Sequence, residues 1–369
     1  MSLARSSLLF AAGTLLSRIT GLVRDRAFLA VFGTSELMSA FVIAFRIPNM
    51  LREMLAEGAL GSSFTKVYSG LDTIDPVRAQ RLLIDALFLM VLVSAFVCSI
   101  GIVAAPLIVR LMTAENESGP LLIATATGLT RLLFPFLGFM ALGAVVAGAL
   151  HKKGSFFASA SAPVVFNLCN IAGALSFAPL LETHGGPWIE TYVAPKSITG
   201  LACGVLLGGL GQVLFQAFDL RHEIRKSFHT WRASGWSLPW SPDIKQVIVL
   251  MAPMALASGG GQVKTVINNY FATSQGPSAV VWLDSAFRLL HLPVGLFGIA
   301  IGSAVLPSLS RALAQAGGIV DGTASREIQK AVELVLWLMT PCFVFLVIHH
   351  LDLVRCLYES GRFTPEDSL

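Results

Sequence analysis

Runs of about twenty apolar residues recur along nearly the whole chain, and a run of that length is what an α-helix needs to cross the hydrocarbon core of a bilayer. They lie near residues 5–31, 37–67, 82–112, 120–150, 156–181, 196–218, 244–273, 279–310 and 328–351. Composition agrees: 54% of the 369 residues are hydrophobic and 13% charged, with a mean hydropathy of +0.72, far from the mix of a soluble domain. The expected class is an all-α polytopic membrane protein of about nine transmembrane helices, since only structures that satisfy their own backbone hydrogen bonds span lipid. The first run begins almost at Met1 and carries arginines, unlike a cleavable signal peptide.

Lysine and arginine collect in alternate loops. One set holds Lys66, Arg78 and Arg81, then Lys152 and Lys153, then Arg221, Arg225, Lys226, Arg232 and Lys245, then Arg311, Arg326 and Lys330. The other set, "TAENESGP", "THGGPWIETYVAPK" and "TSQGPS", holds one lysine in all. The positive-inside rule therefore places the basic loops and the N-terminus in the cytoplasm. The net charge of +4 is mostly topology and gives no support to nucleic-acid binding. Cys98, Cys169, Cys203, Cys342 and Cys356 are scattered through apolar runs, and the seven histidines show no ligand spacing. No metal or cofactor is expected.

"SRITGLVRD", residues 17–25, breaks the apolar pattern. Charge at bilayer depth costs at least about 2.5–3.5 kcal/mol per side chain. On a helix Ser17, Arg18, Gly21, Arg24 and Asp25 fall within an arc of roughly 120°, with apolar residues on the remainder. Such a stripe must face protein or water. The second run repeats the oddity in "AFRIPNMLREMLAEGALG", residues 44–61. Pro48 should bend or break that helix, and Arg46, Asn49, Glu53 and Glu57 share a face if it continues. Arg52 points elsewhere and has no evident acidic partner on its own face, which favours a functional role.

A third charged cluster lies within 282–310, where Arg288 follows Asp284 by one turn and precedes His291, with Pro293 behind. "SAF" occurs at 39–41 and again at 285–287, and Pro48 matches Pro293 at a similar offset. This weak repeat implies two parallel six-helix halves with a site at their interface near the midplane. The expected organisation is a six-helix lobe over 1–218, a cytoplasmic amphipathic linker over 219–243 and a partial second lobe over 244–369, around a central cationic cavity. Pro48 and Pro293 are the expected hinges. The intramembrane charges are led by Arg18, Arg24, Arg52, Lys264 and Arg288, and the arginine fork suits phosphate oxygens. An anionic, phosphate-bearing and lipid-linked substrate follows.

"SRITGLVRD", "FRIPNMLREMLAEGALGSSF", "FRLLHLPVGLFGIAIGSAVLPSLS" and "LYESGRFT" resemble the MurJ (MviN) lipid II flippases of the multidrug/oligosaccharidyl-lipid/polysaccharide exporter superfamily. The resemblance covers essentially the whole chain. It implies a non-enzymatic bacterial inner-membrane protein that moves lipid II, undecaprenyl-diphosphate-linked disaccharide-pentapeptide, to the outer leaflet for peptidoglycan synthesis. The family's arginines carry over onto Arg18, Arg24, Arg52 and Arg288 and its serine onto Ser17; Asp25 and Glu57 also match. Ser39 stands where many members have an acid, Phe287 where they have aspartate, and His291 where some have glutamate. Asp284 is expected to replace the carboxylate lost at 287.

Family members usually have fourteen spans, so the resemblance leaves about five unaccounted for, to be supplied by a longer form of the chain or by a second chain. At the end, Thr364, Pro365, Glu366 and Asp367 have the order of a helix start. Expected partners are lipid II and membrane lipids. Two alternatives remain at the level of the sequence: export of another lipid-linked oligosaccharide, and a membrane enzyme acting on polyprenyl phosphate. The latter needs converging catalytic or metal-binding side chains, which the sequence does not offer.

Overall fold

The computed structural model describes residues 3–114, 119–233, 240–294, 305, 309 and 322–368, with the side chains of 3–11, 55–58 and 323 outside the description. Among the described residues every regular element is helical. They run α1 Leu3–Phe32, α2 Glu36–Arg52, a π-helical segment Glu53–Leu60, α3 Gly61–Ile74, α4 Pro76–Met112, α5 Pro120–Leu133 and α6 Phe136–Lys153. Next come α7 Phe156–Ala172, a π-turn Gly173–Phe177, α8 Ala178–His184, α9 Trp188–Tyr192, α10 Lys196–Ala233, α11 Pro242–Ser274 and α12 Ala279–Pro293. The last α-helix, Gly322–Tyr358, is α13 here, and a 3-10 turn spans Pro365–Ser368.

Among the described residues six stretches are long and apolar enough to cross a membrane: Pro76–Met112, Pro120–Lys153, Phe156–His184, Lys196–Ala233, Pro242–Ser274 and Ala324–Tyr358. The other three of the nine expected spans are those that carry the charge. Run 5–31 corresponds to α1, a helix of 30 residues. Run 37–67 passes through α2, the π segment and α3, and run 279–310 is described continuously only through α12 to Val294. Most of the "GLFGIAIGSAVLPSLS" segment lies outside the described residues.

Local chemistry sets the helix starts. Ser35 accepts from the Met38 amide to cap α2. Asp75 accepts from the Val77 and Arg78 amides at α4, followed by Pro76. Ser241 accepts from the Ile244 amide at α11, followed by Pro242. An oxygen-bearing cap followed by proline satisfies or removes amide donors that a helix start leaves open. Of the two expected effects of Pro48, a bend or a break, the helix is not broken: α2 continues through it to Arg52, and the ladder widens only at Glu53.

The chain forms two compact units. The first comprises Met1–Val280 with Ser360–Arg362, the second Val281–Glu359 with Phe363–Leu369. In the first unit α1 lies along α7 and α7 along α10. Gly13 lets α1 approach the Ser161 amide of α7, which a Cβ would meet at 3.2 Å. α11, assigned by the sequence to the second half, packs in the first unit against the π segment, α3 and α4. Its first turn is held there by Asp243, which accepts from Arg78 Nη2 at 2.7 Å.

Gly200, Gly204 and Gly208, one per turn on a single face of α10, let it approach the α7–π-turn–α8 stretch, Gly204 and Gly208 at α7 and the π-turn and Gly200 where the π-turn meets α8. A Cβ on Gly204 would stand 2.7 Å from the Gly173 Cα and 2.9 Å from the Cys169 carbonyl oxygen. Backbone cannot swing aside as a side chain can, and close approach through small residues is how membrane helices gain packing energy. Gly204→Leu is expected to destabilise the first unit by about 1–3 kcal/mol or more. A lowered thermal midpoint of the purified protein is the check, and an unchanged midpoint would count against this packing.

Gly361 serves differently. Its φ of +59° favours glycine, and the turn it makes lets the Arg362 amide donate to the Ala30 carbonyl at 2.9 Å. The "SGR" of "LYESGRFT" thereby joins the end of α1. In the second unit α13 kinks at His349. At the C-terminal turn, Asp367 Oδ2 accepts from both the amide and the hydroxyl of Thr364. Thr364 is thus the donor at a 3-10 turn, where the sequence predicts it as the cap of an α-helix.

Candidate functional site

Arg24 is held on three sides. Its Nε and Nη2 donate to Asp25 Oδ1 at 2.9 and 2.8 Å, and its Nη1 donates to Asn167 Oδ1 of α7 at 3.0 Å. Asn167 in turn donates through Nδ2 to the Ser17 carbonyl and the Thr20 hydroxyl, both at 3.0 Å. Asp25 and Asn167 are buried, at 7% and 4% exposure. The polar stripe of α1 thus faces α7 and protein, as its arc demands. Asp25 binds its neighbour Arg24 through two nitrogens of the guanidinium, a contact of the short kind formed between opposite charges.

Arg52 sits at the end of α2, where its Nε donates to Asn49 Oδ1 at 3.0 Å. Asn49 Nδ2 donates to Glu53 Oε1 at 2.7 Å, and Arg52 Nη2 lies 3.7 Å from the same oxygen. Gln262 of α11 donates to the second Glu53 oxygen at 3.2 Å. The expectation that Arg52 lacks an acid is therefore corrected: Glu53 supplies one. The physical reason is adjacency: Glu53 follows Arg52 directly, and the two long side chains meet at Asn49 one turn back rather than along a shared helix face. The first unit therefore holds two paired arginines, Arg24 on α1 and Arg52 at the end of α2.

The remaining predicted residues are dispersed. Ser17 and Arg18 are half-buried on α1. Lys264 is exposed on α11. Glu57 belongs to the π segment, but its side chain lies outside the described residues. Ser39, in the place of the family acid, donates its hydroxyl to the Pro277 carbonyl. In the second unit Arg288 Nε donates to Asp284 Oδ2 at 2.8 Å across one turn of α12, with Asp284 the more buried partner. His291 lies 2.7 Å through Nδ1 from the Phe287 carbonyl. Pro293 closes α12.

Asn167, Gln262 and the role of Glu53 as a shared acceptor were not foreseen. Asn167 had a signal: two asparagines in "FNLCN" within an apolar run need partners at membrane depth. A guanidinium carries five N–H donors in a fixed plane. Two of them stand on helices of the first unit, each beside one carboxylate, and the guanidinium fork has the donor geometry that an oxyanion taking several hydrogen bonds calls for.

The family model for the lipid II flippase MurJ matches residues 28–369. The lipid II flippase MurJ of Burkholderia cenocepacia is 30% identical over 374 residues, which cover 98% of this chain and 67% of the relative. The probable lipid II flippase MurJ of Rhizobium meliloti is 30% identical over 372 residues, covering all of this chain and 66% of that one. The chain thus spans about two thirds of the length of these curated relatives. Among solved structures, a lipid II flippase MurJ in an inward closed conformation superposes with a TM-score of 0.76 at 24% identity, over 98% of this chain and 69% of that one. An inward-facing multidrug-resistance MATE transporter of the MOP superfamily gives 0.71 at 16% identity, over 98% and 77%. These two likenesses concern the fold. With the family model matching more than nine tenths of its length, the chain belongs to the MurJ lipid II flippase family.

Proposed function

We propose that this chain takes part in moving lipid II from the cytoplasmic to the outer leaflet of the bacterial inner membrane by alternating access, without chemical change to the lipid. The observation that carries this reading is that two arginines of the first unit, Arg24 and Arg52, are each fixed by an amide side chain and an adjacent carboxylate in a family of lipid II flippases. The diphosphate is the part of lipid II that these guanidinium groups fit. Arg18, Ser17 and Arg288 are further contacts by family resemblance, with Asp25, Glu57, Asp284 and Lys264 supporting them. Pro48 and Pro293 are the proposed hinges, since each removes a backbone donor inside a helix.

The basic loops put the N-terminus in the cytoplasm. Two phosphate charges leaving an inside-negative cell are favoured by about 2.3 kcal/mol per charge per 100 mV. Lowering expression from the chain's own gene is expected to reduce the lipid II head groups accessible at the outer leaflet. Unchanged accessibility after depletion would count against the reading.

A further inference from the structure

A groove of about 540 Å³ lies among α4, α5 and α9, and it shares no residue with the lipid II contacts proposed above. That volume is in the range of small-molecule sites, about 300–1,000 Å³. Arg110 of α4, Arg131 of α5 and Glu190 of α9 line it, with Leu121 and Tyr192 beside them. Arg131 Nε donates to the Ile102 carbonyl at 3.3 Å, which uses one of the five N–H donors of its guanidinium. Gly128 leaves α5 without a Cβ where the Val193 carbonyl oxygen crosses it, so the segment after α9 lies directly on α5.

The depth of the groove follows from its neighbours. By the positive-inside rule the end of α4 at Met112 and the start of α5 at Pro120 belong to the outer side. Trp188 and Tyr192, both exposed on α9, are of the types that settle at a lipid–water interface. From that level an apolar track runs inward along α4. Phe96, Ile100, Val103 and Leu107 are exposed and, with Arg110, fall within about 80° of one another around the helix. The stretch from Phe96 to Arg110 is about 21 Å long, more than the about 15 Å of hydrocarbon in one leaflet.

Two guanidinium groups in one groove at the head of an apolar track call for a phosphate that carries acyl chains. Glu190 narrows the choice. An exposed carboxylate in the same groove repels a purely anionic head group and attracts an ammonium. Free phosphate leaves the track unused, and phosphatidylglycerol leaves Glu190 facing like charge.

We propose that the groove binds an outer-leaflet lipid with a phosphoethanolamine head group, its phosphate on Arg110 and Arg131, its ammonium on Glu190 and an acyl chain along Phe96, Ile100, Val103 and Leu107. This is a lipid site on the flank of the first unit, and it stands whether or not the chain moves lipid II.

The test measures equilibrium binding, to the purified full chain in nonionic detergent, of phosphatidylethanolamine, of phosphatidylglycerol with the same acyl chains, and of O-phosphoethanolamine, the head group alone. The unsubstituted chain is expected to bind phosphatidylethanolamine about fivefold more tightly than phosphatidylglycerol, the scale of one exposed charge contact. It should bind the lipid at least about tenfold more tightly than O-phosphoethanolamine, because the track buries the chain. Glu190→Gln should abolish the difference between the two lipids, and Arg131→Gln should weaken both about tenfold. Both residues are exposed, and unchanged thermal midpoints confirm that the variants fold. If Arg131→Gln did not fold, the lipid preference of Glu190→Gln would decide alone. Equal binding of the two lipids by the unsubstituted chain, O-phosphoethanolamine bound as tightly as the lipid, a preference retained in Glu190→Gln, or lipid binding unchanged in Arg131→Gln would each overturn the proposal.

Discussion

Arg52→Lys, introduced at the chain's own locus, is expected to leave the protein at its normal level in the membrane and to lower outer-leaflet exposure of lipid II head groups by about tenfold or more, the scale of one lost bidentate phosphate contact. Lysine keeps the charge and loses the fork. Arg52 now donates through Nε to Asn49 and lies 3.7 Å from Glu53 through Nη2, an orientation that a point charge on a flexible stem cannot reproduce. Arg24→Lys should behave alike, because a single ammonium cannot hold Asp25 through two nitrogens and Asn167 through a third as Arg24 does. An arginine that serves only an ion pair would tolerate lysine. Near-normal accessibility in both variants would therefore assign the charges of α1 and α2 to architecture.

The second large effect concerns α12. Asp284→Asn is expected to impair translocation severely, since it leaves Arg288 without the carboxylate that now accepts its Nε at 2.8 Å. Breaking a largely buried pair by removing one partner typically costs about 3–5 kcal/mol, much of it the penalty on the charge left behind. Asp284 keeps only 14% of its side chain exposed, so little water is at hand to replace it. Phe287→Asp in the Asp284→Asn background should restore part of the function by placing an acid next to Arg288. Translocation unaffected by Asp284→Asn would make the pair incidental.

What could be read from the sequence was whatever carried its evidence locally. The polar stripe of α1 stands out because Arg18, Arg24 and Asp25 interrupt apolar residues, and a stripe inside lipid must find protein. The i,i+4 relation of Asp284 and Arg288 fixes their contact once the segment is helical. The partners that complete the site are distant in sequence. Asn167 reaches Arg24 across 143 positions and Gln262 reaches Glu53 across 209, so only the packing of α7 on α1 and of α11 on the π segment reveals them.

Side-chain reach was the other obstacle. The assignment of Arg52 to a face without acids counted only residues on that face, whereas Glu53, its immediate neighbour, meets it over Asn49. Proline was a poor guide to where α2 changes, since Pro48 sits five residues before that widening. The Gly200, Gly204 and Gly208 stripe was legible in principle, as small residues four apart in an apolar helix mark a packing face. Its partner, the π-turn that starts at Gly173 after α7, was not.

The account stands most directly on whether the arginines of the first unit grip the diphosphate. The measurement is equilibrium binding of undecaprenyl diphosphate to the purified chain and to the Arg24→Lys/Arg52→Lys double variant, both confirmed folded by their thermal midpoints. The account predicts that the unsubstituted chain binds and that the double variant binds at least about tenfold more weakly, a difference of about 1.4 kcal/mol or more. Equal affinity of the two proteins would contradict it.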